Sequence, residues 1–454
     1  MHVYSNILEM VGRTPMLEVK RLDTGPCRLF LKLELMNPGG SVKDRIGISM
    51  IEEAERRGDI KPGDTIVEAT AGNTGIGLAL VAAQKGYRLV LVLPDKMSQE
   101  KIFNLRAMGA EVVLTRSDVG KGHPEYYQDL GKLIAEEQGA YFINQFGNMD
   151  NPLAHELTTA PEILEQMNGD VDAIVLGVGS SGTVTGMCKY LNEHAPDVDL
   201  ILADPVGSIL ADYINSGTLG DKSSSWLVEG IGEDFIPEIA DFSRVAKAFA
   251  ISDAESFAAA RELLKVEGVL AGSSSGTLLA AALKYCREQT EPKRVVSFAC
   301  DTGNKYLSKL YNDFWMEDQG FIEREPCGDL RDLIGRPHDE RATITVGTTD
   351  VLTTAHNRLR NAGFSQLPVM DEGKLVGIVT EDTIIQHVFG RPELMNSTVG
   401  EAMQAAFIKL DKETSINNLV SMLQIQPYAA IMDGDMFMGL ITRSDVLNYL
   451  RRQM

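Results

Sequence analysis

The chain has 454 residues, more than one ordinary core holds, so two or three domains are expected. Apolar residues make up 44% and charged residues 24%, as in soluble globular proteins. A net charge of -21 excludes nucleic-acid binding by phosphate neutralisation and docking on an anionic membrane surface.

Up to about residue 320 the chain alternates short apolar strands, Gly/Ser/Asp-rich turns and helix-period segments. That is the rhythm of a mostly parallel sheet with helices on both faces. The first segment of chemical interest is Asn37-Pro38-Gly39-Gly40-Ser41-Val42-Lys43-Asp44-Arg45. Ser41 followed three residues later by Asp44 resembles a capping box. A helix is expected from there to about Arg57, burying Ile46, Met50, Ile51 and Ala54. Lys43 then lies in its first turn, where the helix dipole disfavours an ammonium group; such a lysine can form a Schiff base and carry protons. Read alone, the motif favours a solvated lysine at a helix start.

The strand Thr65–Glu68 leads to Thr70-Ala71-Gly72-Asn73-Thr74-Gly75-Ile76-Gly77 and a helix over Ile76–Lys85. Exposed N–H groups at such a start suit a substrate carboxylate, with the Asn73 amide for a second acceptor; a plain βα turn is the competing reading. Further strands are expected at Arg88–Leu93, Glu111–Leu114 and Ala173–Leu176. The last of these precedes Gly177-Val178-Gly179-Ser180-Ser181-Gly182-Thr183, and Asp204 ends the strand after it, at Leu200–Ala203. Glycine spacing and acid together match a dinucleotide fingerprint, which keeps a nicotinamide dehydrogenase in view. Three hydroxyls in one loop suit a phosphate monoester better than a bridging pyrophosphate. Gly272-Ser273-Ser274-Ser275-Gly276-Thr277 opens another helix before the strand Arg294–Phe298.

Met316–Asp329 is polar and aperiodic and reads as a linker. An internal repeat follows: hairpins at 367–380 and 430–442, each leading into a helix, Asp382–Phe389 and Ser444–Arg451. Neither copy can bury its own face, so the two should pack together. The cysteines Cys27, Cys188, Cys286, Cys300 and Cys327 are scattered, which fits reduced thiols in a cytoplasm. His123, His155 and His194 lack metal-ligand spacing and read as surface or capping residues; no metal is expected. Met436 and Met438 read as core. No apolar stretch is long enough to span a bilayer, and Met1–Met10 does not read as a signal peptide.

In this order, N-P-G-G-S-V-K-D-R, T-A-G-N-T-G-I-G-L-A, G-V-G-S-S-G-T-V-T-G and A-G-S-S-S-G-T, the segments resemble the fold-type II pyridoxal-phosphate enzymes, in the branch of cystathionine β-synthases and cysteine synthases. The resemblance covers nearly all of residues 4–320, with Ser5–Leu17 and Asn151–His155 agreeing as well. Glu229–Pro237 is closer to the cystathionine synthase version, and the repeats resemble the paired CBS domains. The implied fold is an α/β, tryptophan synthase β-like catalytic domain (1–320), a linker (321–330) and a tandem CBS module (331–395 and 396–454).

The resemblance implies that Lys43 holds pyridoxal 5'-phosphate and that Gly179, Ser180, Ser181, Gly182 and Thr183 cradle its phosphate. Asn73 would meet the ring's 3′ oxygen, and neutral Ser274 the pyridine nitrogen, favouring β-elimination over transamination. Thr70, Ala71, Gly72 and Thr74 would hold the substrate carboxylate, with Gln145 and Gly230 alongside. The implied reaction replaces the hydroxyl of L-serine with the thiol of L-homocysteine, giving cystathionine; cysteine in place of serine would release hydrogen sulfide. A cysteine synthase using O-acetylserine and sulfide is the alternative. A chain that only senses ligand is a further one, against which Lys43 speaks. Ala71 stands where a serine is usual, and Glu233 where animal members have tyrosine. His2 is the one early histidine, and no haem is expected. In the tail, Thr442 and Asp445 match a ribose site, and Phe364 and Gln366 the adenine side of the same cleft. Ser365, and Thr383 in the first repeat, stand where aspartates are common. Two readings stay open there: a cleft for S-adenosylmethionine or an adenine nucleotide, or repeats that only pack and oligomerise. A homodimer or homotetramer is expected.

Overall fold

The computed structural model describes residues 3–70, 72–95, 97, 99–219 and 224–452; His2 and Ala71 lie outside the described residues. The chain forms two compact units, Met1–Tyr311 and Asn312–Met454. The first therefore ends before the expected boundary at 320. The helix Asp313–Asp318, which runs into the expected linker at Met316, belongs to the second unit, where Arg451 bonds the Asp318 carbonyl at 2.7 Å.

Strands of the first unit are β1 (Met16–Val19), β2 (Arg28–Lys32), β3 (Thr65–Ala69), β4 (Arg88–Pro94), β5 (Glu111–Thr115), β6 (Tyr141–Phe142), β7 (Ala173–Gly177), β8 (Asp199–Pro205), β9 (Val245–Ile251) and β10 (Arg294–Phe298). They form two sheets rather than one. A six-stranded sheet runs β1-β2-β10-β7-β8-β9, and a four-stranded sheet runs β5-β4-β3-β6. Only the β1–β2 pairing is antiparallel. Buried on both faces, β4, β7 and β8 read as near-continuous apolar runs.

The helix Lys43–Arg57 starts and stops where its sequence indicates, ending at Gly58 with φ 80°. Ile46, Met50, Ile51 and Ala54 are fully buried. Each large one contributes about 1.5–3 kcal/mol. This helix crosses the helix Asn73–Lys85 in backbone contact: a Cβ on Gly47 would stand 2.7 Å from the Gly77 carbonyl carbon, and one on Gly77 2.7 Å from Lys43 O. That crossing holds the Lys43 and Asp44 backbone against Gly77, in the helix that follows β3.

The second unit holds β11 (Val346–Gly347), β12 (Gln366–Asp371) and β13 (Lys374–Thr380) in one sheet, and β14 (Lys409–Asp411), β15 (Tyr428–Asp433) and β16 (Met436–Thr442) in another. Each is a hairpin with a parallel third strand. Leu375, Ile378, Tyr428, Ala430 and Phe437 form a core shared by the two repeats. Leu333 and Ile334, placed by sequence in the first repeat, pack into the core of the second. Met438 is buried, whereas Met436, the first residue of β16, is exposed, which corrects its reading as core. Among the described residues no helix is long and apolar enough to cross a membrane.

Candidate active site

The loops at the carboxyl ends of β3, β7 and β10 converge, which is where open α/β sheets place their ligands. Asn73 Nδ2 donates to Asp301 Oδ2 at 2.8 Å, joining the β3 loop to the β10 loop. Val42 N donates to Cys300 O at 2.9 Å, joining the lysine segment to the same loop. Asn151 Nδ2 donates to Gln145 O at 2.8 Å and Ser180 Oγ at 2.9 Å, joining the β7 loop to the region after β6.

Lys43 remains partly accessible while Ser41, Val42, Asp44 and Arg45 around it are buried. Burial of its amine lowers its pKa, against the opposing charges of Cys300 and Glu233. The expected capping box does not form. Val42 is the cap residue and no side chain caps it; the Asp44 carboxylate instead accepts from Gly39 N at 2.5 Å. Burial pushes Asp44 up to about 7. Behind it, Arg45 is buried between Glu34 and Glu162, with contacts of 2.7–2.8 Å.

On the carboxylate side, Thr74 Oγ1 donates to Gln145 Oε1 at 2.8 Å, and Gln145 Nε2 donates to Ala69 O at 3.1 Å. Gly72 N donates to Thr70 Oγ1 at 3.1 Å. Thr70, Gly72, Thr74 and Gln145 are thus brought together; Ala71, expected beside them, lies outside the described residues. No side chain caps the helix Asn73–Lys85.

The loop after β7 is similar. Ser181 has φ 69°, no side chain caps the helix Gly182–His194, and the buried Ser181 Oγ has no hydrogen-bond partner. The backbone pins its close approaches. A Cβ on Gly182 would stand 1.8 Å from Asn151 Oδ1, and one on Gly179 2.7 Å from Gly230 O. Thr183 Oγ1 lies 3.3 Å from His155 Nε2, whose Nδ1 meets Thr159 Oγ1 at 2.9 Å. His155 is fully buried, which corrects its reading as a surface or capping residue. Burial, then Lys43 and Arg45, hold its pKa well below the usual value, so it is a neutral imidazole. Asp204, the would-be ribose acid, is buried and accepts from Ala211 N at 2.8 Å, so it anchors the helix Leu210–Ser216.

Ser274 is buried in the first turn of the helix Ser273–Arg287, which also lacks a side-chain cap. The next residue, Ser275, accepts from Cys300 N at 2.8 Å through its Oγ, and burial pushes the Cys300 thiol up to about 12. Asn73 is held at both ends: Lys305 Nζ donates to its Oδ1 at 3.0 Å and to Gly39 O at 2.9 Å. Tyr306 OH donates to Asp301 Oδ2 at 2.7 Å and accepts from Lys101 Nζ at 2.9 Å, and Lys101 also bonds Glu229 at 2.7 Å. The sequence reading missed Cys300, Lys305, Tyr306 and Lys101. For Cys300, Lys305 and Tyr306 the one signal was the clustering of polar residues after β10; Lys101, in the helix Gln99–Ala107, had none.

In the second unit, Asp445 Oδ2 accepts from Thr442 N at 2.7 Å and from Thr442 Oγ1 at 2.6 Å. Thr380 and Thr383 make the equivalent cap in the first repeat. The Arg336 guanidinium lies 4.4 Å over the Phe364 ring, within charge range of Asp445. Gln366 Oε1 accepts from Ser365 Oγ at 2.5 Å. Phe364 and Asp445 thus both border Arg336, and the structure adds that cation to the expected set.

The pyridoxal-phosphate dependent enzyme family matches residues 7–301, and the CBS domain matches residues 339–390 and 399–452. The cystathionine beta-synthase of Dictyostelium discoideum is 36% identical over 99% of this chain and 93% of its own length. A cysteine synthase of Staphylococcus aureus is 41% identical, over 67% of this chain and 95% of its own. A solved structure described as an O-acetylserine dependent cystathionine beta-synthase from Helicobacter pylori superposes with a TM-score of 0.63 at 38% identity, covering 69% of this chain and 100% of that one. The cysteine synthase match stops short of the tail, whereas the first relative runs through it. The chain belongs to the cystathionine β-synthases, pyridoxal-phosphate dependent, β-replacing enzymes, here with tandem CBS domains behind the catalytic unit.

Proposed function

We propose that this chain replaces the hydroxyl of L-serine with the thiol of L-homocysteine, giving cystathionine, and that it releases hydrogen sulfide when cysteine takes the place of serine. The observation that carries the reading is Lys43: a half-buried lysine whose amine has its pKa lowered by burial, in an otherwise buried motif tied to the loop after β10. The residues fit the cofactor. An uncapped helix start, an unpartnered buried Ser181 hydroxyl and glycines with no room for a methyl group make a cradle for a phosphate.

Gly179, Ser180, Ser181, Gly182 and Thr183 would hold that phosphate, with neutral His155 orienting the Thr183 hydroxyl. Asn73 would face the ring oxygen with the amide hydrogen that Asp301 leaves free. Ser274 would face the pyridine nitrogen. Pyridoxal phosphate, when bound, withdraws electrons from the α-carbon and so permits loss of a β-substituent. Thr70, Gly72, Thr74 and Gln145, at the positive end of the helix Asn73–Lys85, would hold the substrate carboxylate, together with Ala71. Lys43 Nζ takes the α-proton and hands a proton to the departing hydroxyl. Its lowered pKa keeps a larger share of the amine unprotonated for that work.

A second reading, O-acetylserine as first substrate with sulfide as the thiol, is favoured by the likeness of the catalytic unit to the S. aureus cysteine synthase. For the tail we propose a cleft for S-adenosylmethionine or an adenine nucleotide at Phe364, Gln366, Thr442 and Asp445. A base stacking on Phe364 must move Arg336. A cytoplasmic homodimer or homotetramer is the proposed form. The test is the cofactor absorption spectrum of the pure protein with L-serine and then L-homocysteine, with Lys43→Ala as control and products identified by mass. A serine-dependent change that homocysteine reverses, with cystathionine formed, is expected. A change with O-acetylserine alone, and cysteine formed from sulfide, overturns the reading in favour of the second.

A further inference from the structure

Behind the loop after β7, the buried His155 joins two threonine hydroxyls. Thr159 Oγ1 lies 2.9 Å from its Nδ1 and Thr183 Oγ1 3.3 Å from its Nε2. His155 and Thr159 are both fully buried, in one turn of π-helix where Ala160 N donates to His155 O. Turns of this kind recur at functional sites. The helix Gly182–His194 presses on the turn: a Cβ on Gly186 would stand 2.5 Å from Pro152 O and 2.7 Å from His155 Cβ. The ring is therefore held in place between the two hydroxyls.

A hydroxyl and a neutral imidazole have one proton each to donate, which gives the pair of bonds a direction. The buried Thr159 proton sets it. Thr158 donates to Ala154 O at 2.6 Å, as a helical threonine commonly does, but Thr159 makes no other hydrogen bond among the described residues than the one to Nδ1. If Thr159 accepted from the ring, its own buried proton would have no acceptor, which is costly. Thr159 therefore donates to Nδ1. Burial keeps the ring neutral, so its proton then sits on Nε2 and is donated to Thr183 Oγ1. Phosphate oxygens of a dianion only accept, so Thr183 can bond one only with its own proton. In the reverse direction Thr183 would donate to Nε2 and have no proton left for a phosphate.

We propose that Thr159 and His155 are positioning residues for the cofactor phosphate, Thr159 donating to His155 Nδ1 and His155 Nε2 donating to Thr183, so that the Thr183 proton is kept for the phosphate. This relay rests on the reading of Gly179–Thr183 as a phosphate cradle and adds Thr159, which lies outside the cradle.

The test uses the full-length enzyme, stripped of cofactor and titrated with pyridoxal 5'-phosphate and, separately, with pyridoxal, which lacks the phosphate. Thr159→Val keeps the shape and removes the donor. It should raise Kd for pyridoxal 5'-phosphate ~5–30-fold and leave Kd for pyridoxal nearly unchanged. Thr159→Ser, which keeps the hydroxyl, should bind both as the wild type does. Thr183→Ala should also weaken the phosphate ester alone, and adding Thr159→Val to it should cost little more. In the 15N-labelled holoenzyme, the imidazole signal that disappears in His155→Gln should be that of a neutral ring protonated at Nε2. Equal weakening of both ligands by Thr159→Val shows a merely structural role and overturns the proposal, as does no weakening of either. A ring protonated at Nδ1, or at both nitrogens, overturns it in the wild type itself. If Thr183→Ala binds pyridoxal 5'-phosphate as tightly as the wild type, the cradle reading fails at that residue, and the proposal with it.

Discussion

Gly179→Ala tests the phosphate loop directly. The added methyl group would stand 2.7 Å from Gly230 O and 3.5 Å from its carbon. Attractive contact lies about 0.5–1 Å further out. Neither partner yields freely. Gly179 feeds the helix Gly182–His194, and Gly230 has φ 88° in a segment tied back by the bond from Gly232 N to Val178 O. Relief of about 1–3 kcal/mol must come from spreading the two loops apart. If the loop holds the phosphate, that spreading weakens cofactor binding by roughly 5- to 150-fold. The assay strips the cofactor, titrates it back and follows absorbance, with thermal unfolding in parallel. Gly177→Ala is the control, because its methyl group would meet side chains, Leu278 Cδ1 at 2.8 Å and Ile231 Cγ2 at 2.9 Å, with no backbone atom of the Gly230 segment among its nearest neighbours. It should lower Tm more than it lowers affinity. A Gly179→Ala enzyme that binds cofactor as tightly as the wild type, or a Gly177→Ala enzyme that loses affinity equally, refutes the assignment.

Glu68 is fully buried with Oε2 unpartnered, and burial pushes it up to about 8. Its folded pKa lies above the unfolded value, so its contribution to stability is full below about pH 4–5 and is lost as pH rises through 8. Glu68→Gln should gain about 1–4 kcal/mol on the wild type near pH ~9 and little at pH ~5 in denaturant unfolding; equal differences at both would sink the account. Asn151→Ala removes the amide that joins Gln145 O to Ser180 Oγ, and should cost about 1–3 kcal/mol and weaken cofactor binding, read by the same titration. Asp445→Ala frees Thr442 N and Oγ1 and should destabilise the second unit by about 1 kcal/mol, seen as a shift of its unfolding transition.

The sequence showed the strands and the Lys43 helix because both rest on local periodicity. Ile46, Met50, Ile51 and Ala54 are spaced for one face and that face is buried. It did not show that the strands divide into two sheets, since strand order is set by long-range pairing such as β10 between β2 and β7. Nor did it show the crossing of Gly47 on Gly77, because a glycine inside a helix looks the same whether it faces solvent or another backbone. His155 was misread for a related reason. A lone histidine carries no period, and its burial follows from the helix Gly182–His194 packing over the turn His155–Thr159.

The harder distinction lay between a capped helix and a helix that awaits a ligand. Ser, Thr and Asn near a helix start suit either role, so the string of letters cannot separate them. Their partners can. Ser252 and Glu255 close a full capping box on the helix Asp253–Glu267, and Thr380 with Thr383, and Thr442 with Asp445, satisfy one another in the tail. The helices starting at Asn73, Gly182 and Ser273 have hydroxyls within reach and yet carry no side-chain cap. All three open where the β3, β7 and β10 loops meet around Lys43. Three uncapped starts gathered there suit an anionic cofactor and an anionic substrate, although single helices elsewhere, Tyr127–Gln138 and Leu352–Ala362 among them, also start without a side-chain cap. The same criterion weakens the case for Thr442 and Asp445 as a ready-made ribose site: a nucleotide entering there must first break the bonds these two residues make with each other.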